Sequence, residues 1–216
     1  MKAVIKESRS DHIIQHAKEV FFTKGYSMTA ISDVCKLAGC SRTTLYSYFE
    51  SKENLYLAVV KKTLSRFLNH FAALELEGKT GMERVLTLAE GYLAYAKAAP
   101  QYYQVMLDFY GILRSINETA VQIEAHVKIK ECIYFEHVNE LAQLPFKLLT
   151  EEIQKGQADR TINSNTNSVE HMMNIWAYLK GISDVSPIVV NLDINTEKNS
   201  DLTTLALGII RKMLEI

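Results

Sequence analysis

From Ala30 to Phe49 the chain carries two short helical patterns separated by Gly39-Cys40-Ser41, and this spacing constrains the fold more than any other feature. Ile31, Val34, Cys35 and Ala38 recur as one face of a helix. Gly39 follows where a chain leaving a helix needs a left-handed residue. Ser41 then offers an oxygen to cap a new helix running from Arg42 to about Tyr48, with Leu45 and Phe49 turned to the core. So short a turn makes the two helices cross steeply, and the segment, about 30–49, is predicted to be a helix-turn-helix. Thr29 is the expected N-cap of its first helix.

The rest of the chain is read as helical too. Only 9 Gly and 3 Pro interrupt its 216 residues, and 48% of them are hydrophobic. A first helix is expected from about Ser10 to Lys24, stopped by Gly25, and a fourth from Ser51 to beyond Phe67. Then come "GMERVLTLAEGYLAYAKAAP", "QYYQVMLDFYGILRSI", a long helix from Thr119 to about Lys155 bent near Pro145, and another from Ser168 to Ile182. "GQADRTINSNTNS" reads as a loop, and "DVSPIVVNLDINTEKNS" as irregular chain rich in β-branched residues. Asp201 to Ile216 forms a last helix with Leu202, Leu205, Ala206, Ile209 and Met213 on one face. The expected organisation is all-α. Residues 1–62 form an N-terminal helix-turn-helix domain, and residues 63–216 a larger helical domain.

No leader pattern and no membrane-length apolar run is visible, and three widely spaced cysteines suit reduced thiols in a cytoplasmic protein. Charge is uneven: residues 1–62 hold 10 Lys and Arg against 6 Asp and Glu, whereas residues 63–216 hold 14 against 19. The anion-facing end is therefore N-terminal. No nucleophile–base pattern, phosphate loop or zinc-protease motif occurs, so an enzyme is not expected. Glu151 and Glu152 read as solvated surface. His12 and His16 have metal-compatible spacing but no evident third ligand, and read as solvated; no metal and no cofactor are expected. Cys35 and Cys40 read as small buried hydrophobes, with a redox pair as the lesser alternative, and Cys132 stands alone.

The polar residues between Ser41 and Lys52 carry the functional reading. A helix entering the major groove needs short donors and acceptors near its N-terminus. Arg42 has the fork to pair with guanine, and Thr43 and Thr44 offer hydroxyls and methyls. Tyr46, Ser47 and Tyr48 are left outside the core. Lys52 opens a helix whose N-terminus favours a phosphate. The stretch "TAISDVCKLAGCSRTTLYSYFESKENLYLAVV" resembles the DNA-binding domain of the TetR family of transcriptional regulators, through Leu45-Tyr46, Tyr48-Phe49 and Lys52. The resemblance covers about Ser8 to Val60. It implies that Ser41, Arg42, Thr43 and Thr44 approach bases or nearby phosphates, and that Thr29, Tyr46, Tyr48 and Lys52 grip the backbone.

The resemblance further implies a homodimer on operator DNA, a repressor released by a small-molecule effector, and an effector pocket within the C-terminal helices. Tyr92, Tyr103, Met106, Tyr110 and Trp176 are its candidate walls, while Glu90 and Asp108 are expected to be exposed. In the family the last two helices pair with their copies, which here places Met172, Trp176, Leu202, Leu205, Ile209 and Met213 at the dimer interface, with Gly181 and Gly208 allowing close approach. Two other readings stand beside this one: a DNA-binding structural protein with no effector, and a helical enzyme with an incidental helix-turn-helix.

Overall fold

The structure, a computed structural model, describes residues 2–117, 123–191 and 202–215. Among these residues regular structure is helical throughout: α1 Lys2–Met28, α2 Ile31–Ala38, α3 Arg42–Tyr46, α4 Lys52–Ala72, α5 Gly81–Ala98, α6 Pro100–Asn117, α7 Glu124–Lys130, α8 Phe135–Ala158, α9 Ser168–Asn191 and α10 Leu202–Leu214. No described helix is long and apolar enough to cross a membrane. The chain divides into two compact units. One joins the residues up to Arg66 with Gln101–Ala142, and the other joins Phe67–Pro100 with the residues from Gln143 onward.

In the first unit α1, α2, α3 and the start of α4 close around Ile13, Ala17, Phe21, Val34, Leu45, Leu55 and Val59, all nearly or fully buried. Phe21 and Tyr26 flank Tyr56 at ring separations of 5.2 and 4.7 Å. Gly25 departs from helical backbone at φ 70° as expected, but helical turns resume beyond it, and α1 begins well before Ser10. Thr29 is not the cap of α2. Ala30 occupies that position without a side-chain bond, and the Thr29 hydroxyl instead donates to the Gly25 carbonyl at 2.7 Å. The kink at Gly25 frees that carbonyl, and Thr29 is close enough to take it.

In the second unit Leu88, Tyr92, Ile153, Ile175, Ala206 and Ile210 are buried, and α10 packs on α5 and α9. Glu152 is not the solvated residue its sequence suggests. It is 2% exposed and holds Lys155 at 2.7 Å and Arg84 at 3.5 Å, because α8 turns this face inward against α5. The expected long helix from Thr119 lies partly outside the described residues, and it is broken between Lys130 and Phe135 rather than bent at Pro145, which α8 accommodates. Likewise α9 continues past Ile182 to Asn191, through Pro187, where irregular chain was expected. The expectation for residues 192–200 lies outside the described residues.

α5 and α8 approach so closely that a Cβ on Gly81 would fall 2.1 Å from the backbone of Gly156. Gly111, inside α6, has open space where its Cβ would stand. Gly81→Ala should therefore destabilise the protein by about 3 kcal/mol, as overpacking against backbone does. Gly111→Ala should stabilise it by about 0.5–1 kcal/mol through lower chain entropy. Urea unfolding of both variants checks the contrast; a neutral Gly81→Ala would refute the close approach. Ala30→Ser, which restores a capping hydroxyl to α2, should add about 1 kcal/mol in the same measurement.

Candidate nucleic-acid interface

The site is built on the turn between α2 and α3. Gly39 adopts the left-handed conformation at φ 59°, and the Cys40 N–H donates to the Cys35 carbonyl at 3.1 Å. Ser41 then caps α3: its Oγ accepts from the Thr44 N–H at 3.0 Å and shares a 2.9 Å bond with the Thr44 hydroxyl. The Ser47 hydroxyl donates to the Thr44 carbonyl at 2.7 Å. Of the expected readers, Ser41, Arg42, Thr43, Tyr46 and Ser47 are exposed, and Thr44 and Tyr48 are half-buried. Ser41, Thr44 and Ser47 spend hydroxyls on the helix itself, which leaves the side chains of Arg42, Thr43 and Tyr46 projecting outward. Thr29 differs from the rest: it is 3% exposed, and its hydroxyl is already committed to Gly25.

α4 starts beside this surface. The Ser51 Oγ accepts from the Asn54 N–H at 3.1 Å and so caps it. Lys52 is half-buried, with Nζ donating to the Ser27 carbonyl at 3.3 Å and lying 4.5 Å from the centre of the Tyr26 ring. Burial pulls its ammonium below the usual lysine range. The Tyr26 hydroxyl donates to Glu53 at 2.8 Å. Burial works against the Glu53 carboxylate, but the hydroxyls of Tyr26 and Ser51 and the Lys52 charge outweigh it and hold the carboxyl below its usual range. Tyr26 is pushed well above the usual phenol range, by burial first and then by Glu53. Sequence reasoning found Lys52 but missed Tyr26 and Glu53, which form its seat; the aromatic after Gly25 and the acid after Lys52 were the available signals.

His12 is exposed, as expected, while His16 is half-buried. The His12 Nε2 lies 3.2 Å from the Ala38 carbonyl at the end of α2, and the His12 ring meets His16 edge-on at 4.5 Å. No described group of three or more His, Cys, Asp and Glu side chains is placed to hold a metal.

The candidate effector residues fall in both units. Tyr103 and Met106 are buried and Tyr110 is half-buried in the first, where the Tyr110 hydroxyl donates to the Ala142 carbonyl at 3.0 Å. In the second, Tyr92 meets Trp176 at 5.1 Å and Phe146 meets Trp176 at 4.2 Å. Glu90 is exposed and Asp108 is half-exposed, accepting from Gln104 at 2.8 Å. Of the expected dimer residues, Leu202, Leu205 and Met213 are 41%, 50% and 40% exposed, while Met172, Trp176 and Ile209 are half-buried. Gly181 and Gly208 have open space beside them.

Residues 13–59, from α1 through the first turns of α4, match the family described as bacterial regulatory proteins, tetR family. Over 74 residues the chain is 32% identical to the HTH-type transcriptional regulator QacR of Staphylococcus aureus, covering 34% of this chain and 39% of that protein. Over 124 residues it is 24% identical to the HTH-type transcriptional activator FasR of Mycolicibacterium smegmatis, covering 57% of this chain and 54% of that one. The matched stretches thus span well under two thirds of either relative. The fold is shared more widely: a bacterial regulatory protein of the tetR family from Rhodococcus RHA1 superposes with a TM-score of 0.66 at 16% identity, over 96% of this chain and 97% of that one. The matched module contains the capped helix-turn-helix and the Lys52 seat: residues 13–59 carry the N-terminal module of the tetR family, and the fold of the chain is that of solved tetR-family proteins.

Proposed function

We propose that the protein binds operator DNA as a homodimer in the cytoplasm and acts as a repressor released by a small-molecule effector. The observation that carries the DNA-binding part is the outward row of Arg42, Thr43 and Tyr46 on a helix whose own polar ends are satisfied by Ser41 and Ser47. A helix that completes its own caps has side chains to spare for base edges. Arg42 takes a guanine through two parallel bonds, and Thr43 touches a neighbouring base or its methyl. Tyr46 and Tyr48 reach phosphate oxygens at the rim, Lys52 adds charge at the α4 N-terminus, and Thr29 contributes through backbone rather than hydroxyl.

Dimerisation is supported by α10. Ala206, Ile210 and Leu214 are buried within the chain, while Leu202, Leu205, Ile209 and Met213 form a second apolar stripe that faces outward or partly outward. An unfilled apolar stripe along a helix is what a pairing helix presents. The partner is read as a second copy, and the open space at Gly181 and Gly208 leaves room for close approach of helices there. For the effector, Tyr92 and Trp176 supply large apolar faces in one unit, and Tyr103, Met106 and Tyr110 in the other. FasR is named an activator, so the position of the bound site relative to its promoter separates repression from activation.

Selection of bound fragments from the source genome tests the DNA-binding reading, with a near-palindromic sequence as the expected result; no enriched sequence would refute it. On a selected fragment, Arg42→Ala should weaken binding by about 1–3 kcal/mol and relax preference at one base pair per half-site. Lys52→Ala should weaken all DNA alike and lower the log–log salt slope by about 1 per monomer. An unchanged slope removes Lys52 from the phosphate contacts. Ile209→Asp should yield monomers in sedimentation and abolish tight operator binding, and an intact dimer would place the interface elsewhere.

A further inference from the structure

The turn that aims α3 also brings two thiols together. The N–H groups of Gly39 and Cys40 both point at the carbonyl of Cys35, the latter at 3.1 Å. A helix ending on a left-handed residue with this bonding packs the second residue past its end against a residue of its last turn. Here those two residues are Cys40 and Cys35. Both are free thiols; Cys35 is buried and Cys40 half-exposed. A disulfide needs Cβ atoms about 3.5–4.5 Å apart, so closing one between these two residues moves the backbone of the turn until that separation is met. Burial pushes the Cys35 thiol up, the adjacent Cys40 adds to this, and the Arg42 guanidinium pulls the other way. Cys40 is therefore the thiol that meets a reagent, and Cys35 the one that resolves it.

We propose that Cys35 and Cys40 form a dithiol modification site, oxidised by a small-molecule disulfide to an intramolecular disulfide that closes the turn and re-aims the recognition helix. The Cys40 thiolate attacks one sulfur of the small disulfide, forms a mixed disulfide and releases one thiolate. The Cys35 thiolate then attacks the Cys40 sulfur, forms the intramolecular bond and releases the second. The protein loses two electrons and two protons, and the small disulfide becomes two thiols. The bond draws Cys40 toward α2, and Cys40 is joined to Ser41, the cap of α3, with Arg42 next. Oxidation thus shifts the residues at the start of the recognition helix. This consequence rests on the DNA-binding reading above; formation of the bond does not.

The test uses the full chain carrying Cys132→Ser, so that only this pair remains, incubated natively with oxidised glutathione. Mass spectrometry should show loss of two hydrogens, no retained glutathione, and a peptide linked between Cys35 and Cys40 that dithiothreitol opens. Affinity for a selected genomic fragment should fall about tenfold on oxidation and recover on reduction, within the range expected when one base-reading residue is misplaced. The further variant Cys40→Ser should bind that fragment with or without the oxidant. Retained glutathione on Cys40, or two unreacted thiols, would overturn the site. A formed link with unchanged affinity, or a Cys40→Ser protein still sensitive to oxidant, would overturn its effect on the helix. Failure of the reduced protein to bind any fragment would count instead against the DNA-binding reading, while the mass measurement still decides whether the bond forms.

Discussion

One backbone hydrogen bond, from the Cys40 N–H to the Cys35 carbonyl, fixes the direction in which α3 leaves α2. It closes only because Gly39 sits at φ 59°, a conformation that costs an ordinary residue about 1–2 kcal/mol. Everything near it serves to hold that direction. Val34 and Ala38 press α2 into the core, Leu45 anchors α3 beneath, and the Lys24–Asp33 pair at 2.7 Å ties α1 to the start of α2. That pair is exposed and contributes little by itself. The apolar anchors therefore fix the helices, and the charge pair adds register.

Beside this, the fold seats Lys52 before any partner arrives. The Tyr26–Glu53 bond joins the end of α1 to the start of α4 and involves a charged acceptor, worth about 1.5–3 kcal/mol. The Lys52–Tyr26 ring contact contributes less, about 0.5–2 kcal/mol. The hydroxyl–carboxylate bond thus sets the geometry, and the lysine rests on it. On the proposed DNA-binding reading, a phosphate arriving at the α4 N-terminus meets a charge already part-stripped of water and held in place, so less freedom is lost on binding. A lysine free in solvent would have to surrender both at the moment of contact.

The features legible in the sequence are those where one residue type has one physical reason to be present. Gly39 at a left-handed cap, Ser41 as an N-cap, and Leu45 and Phe49 as the inward pair of a short helix all stand as read. What escaped depends on neighbours far along the chain. Thr29 has the right chemistry for a cap, but the kink at Gly25 offers its hydroxyl a nearer acceptor. Glu152 follows another glutamate and looks solvated, yet Arg84, 68 positions away, meets it inside. Pro187 and the β-branched residues after it argue locally against a helix, and α9 runs through them all the same. The candidate effector residues were less legible still, because large aromatics at helical spacing fill a core and line a pocket with the same pattern.

α10 shows the same ambiguity resolved by packing. Read alone, its apolar residues exceed what one face needs. With a period of 3.6, Ala206, Ile210 and Leu214 share one side, and Leu202, Leu205, Ile209 and Met213 share another. The chain's own core takes only the first set. A helix apolar on two sides is stable in water only when both are covered, so the second stripe implies a second surface of similar length and chemistry. On the proposed reading that surface belongs to a second copy of the chain, because a symmetric pairing presents the same stripe from both sides.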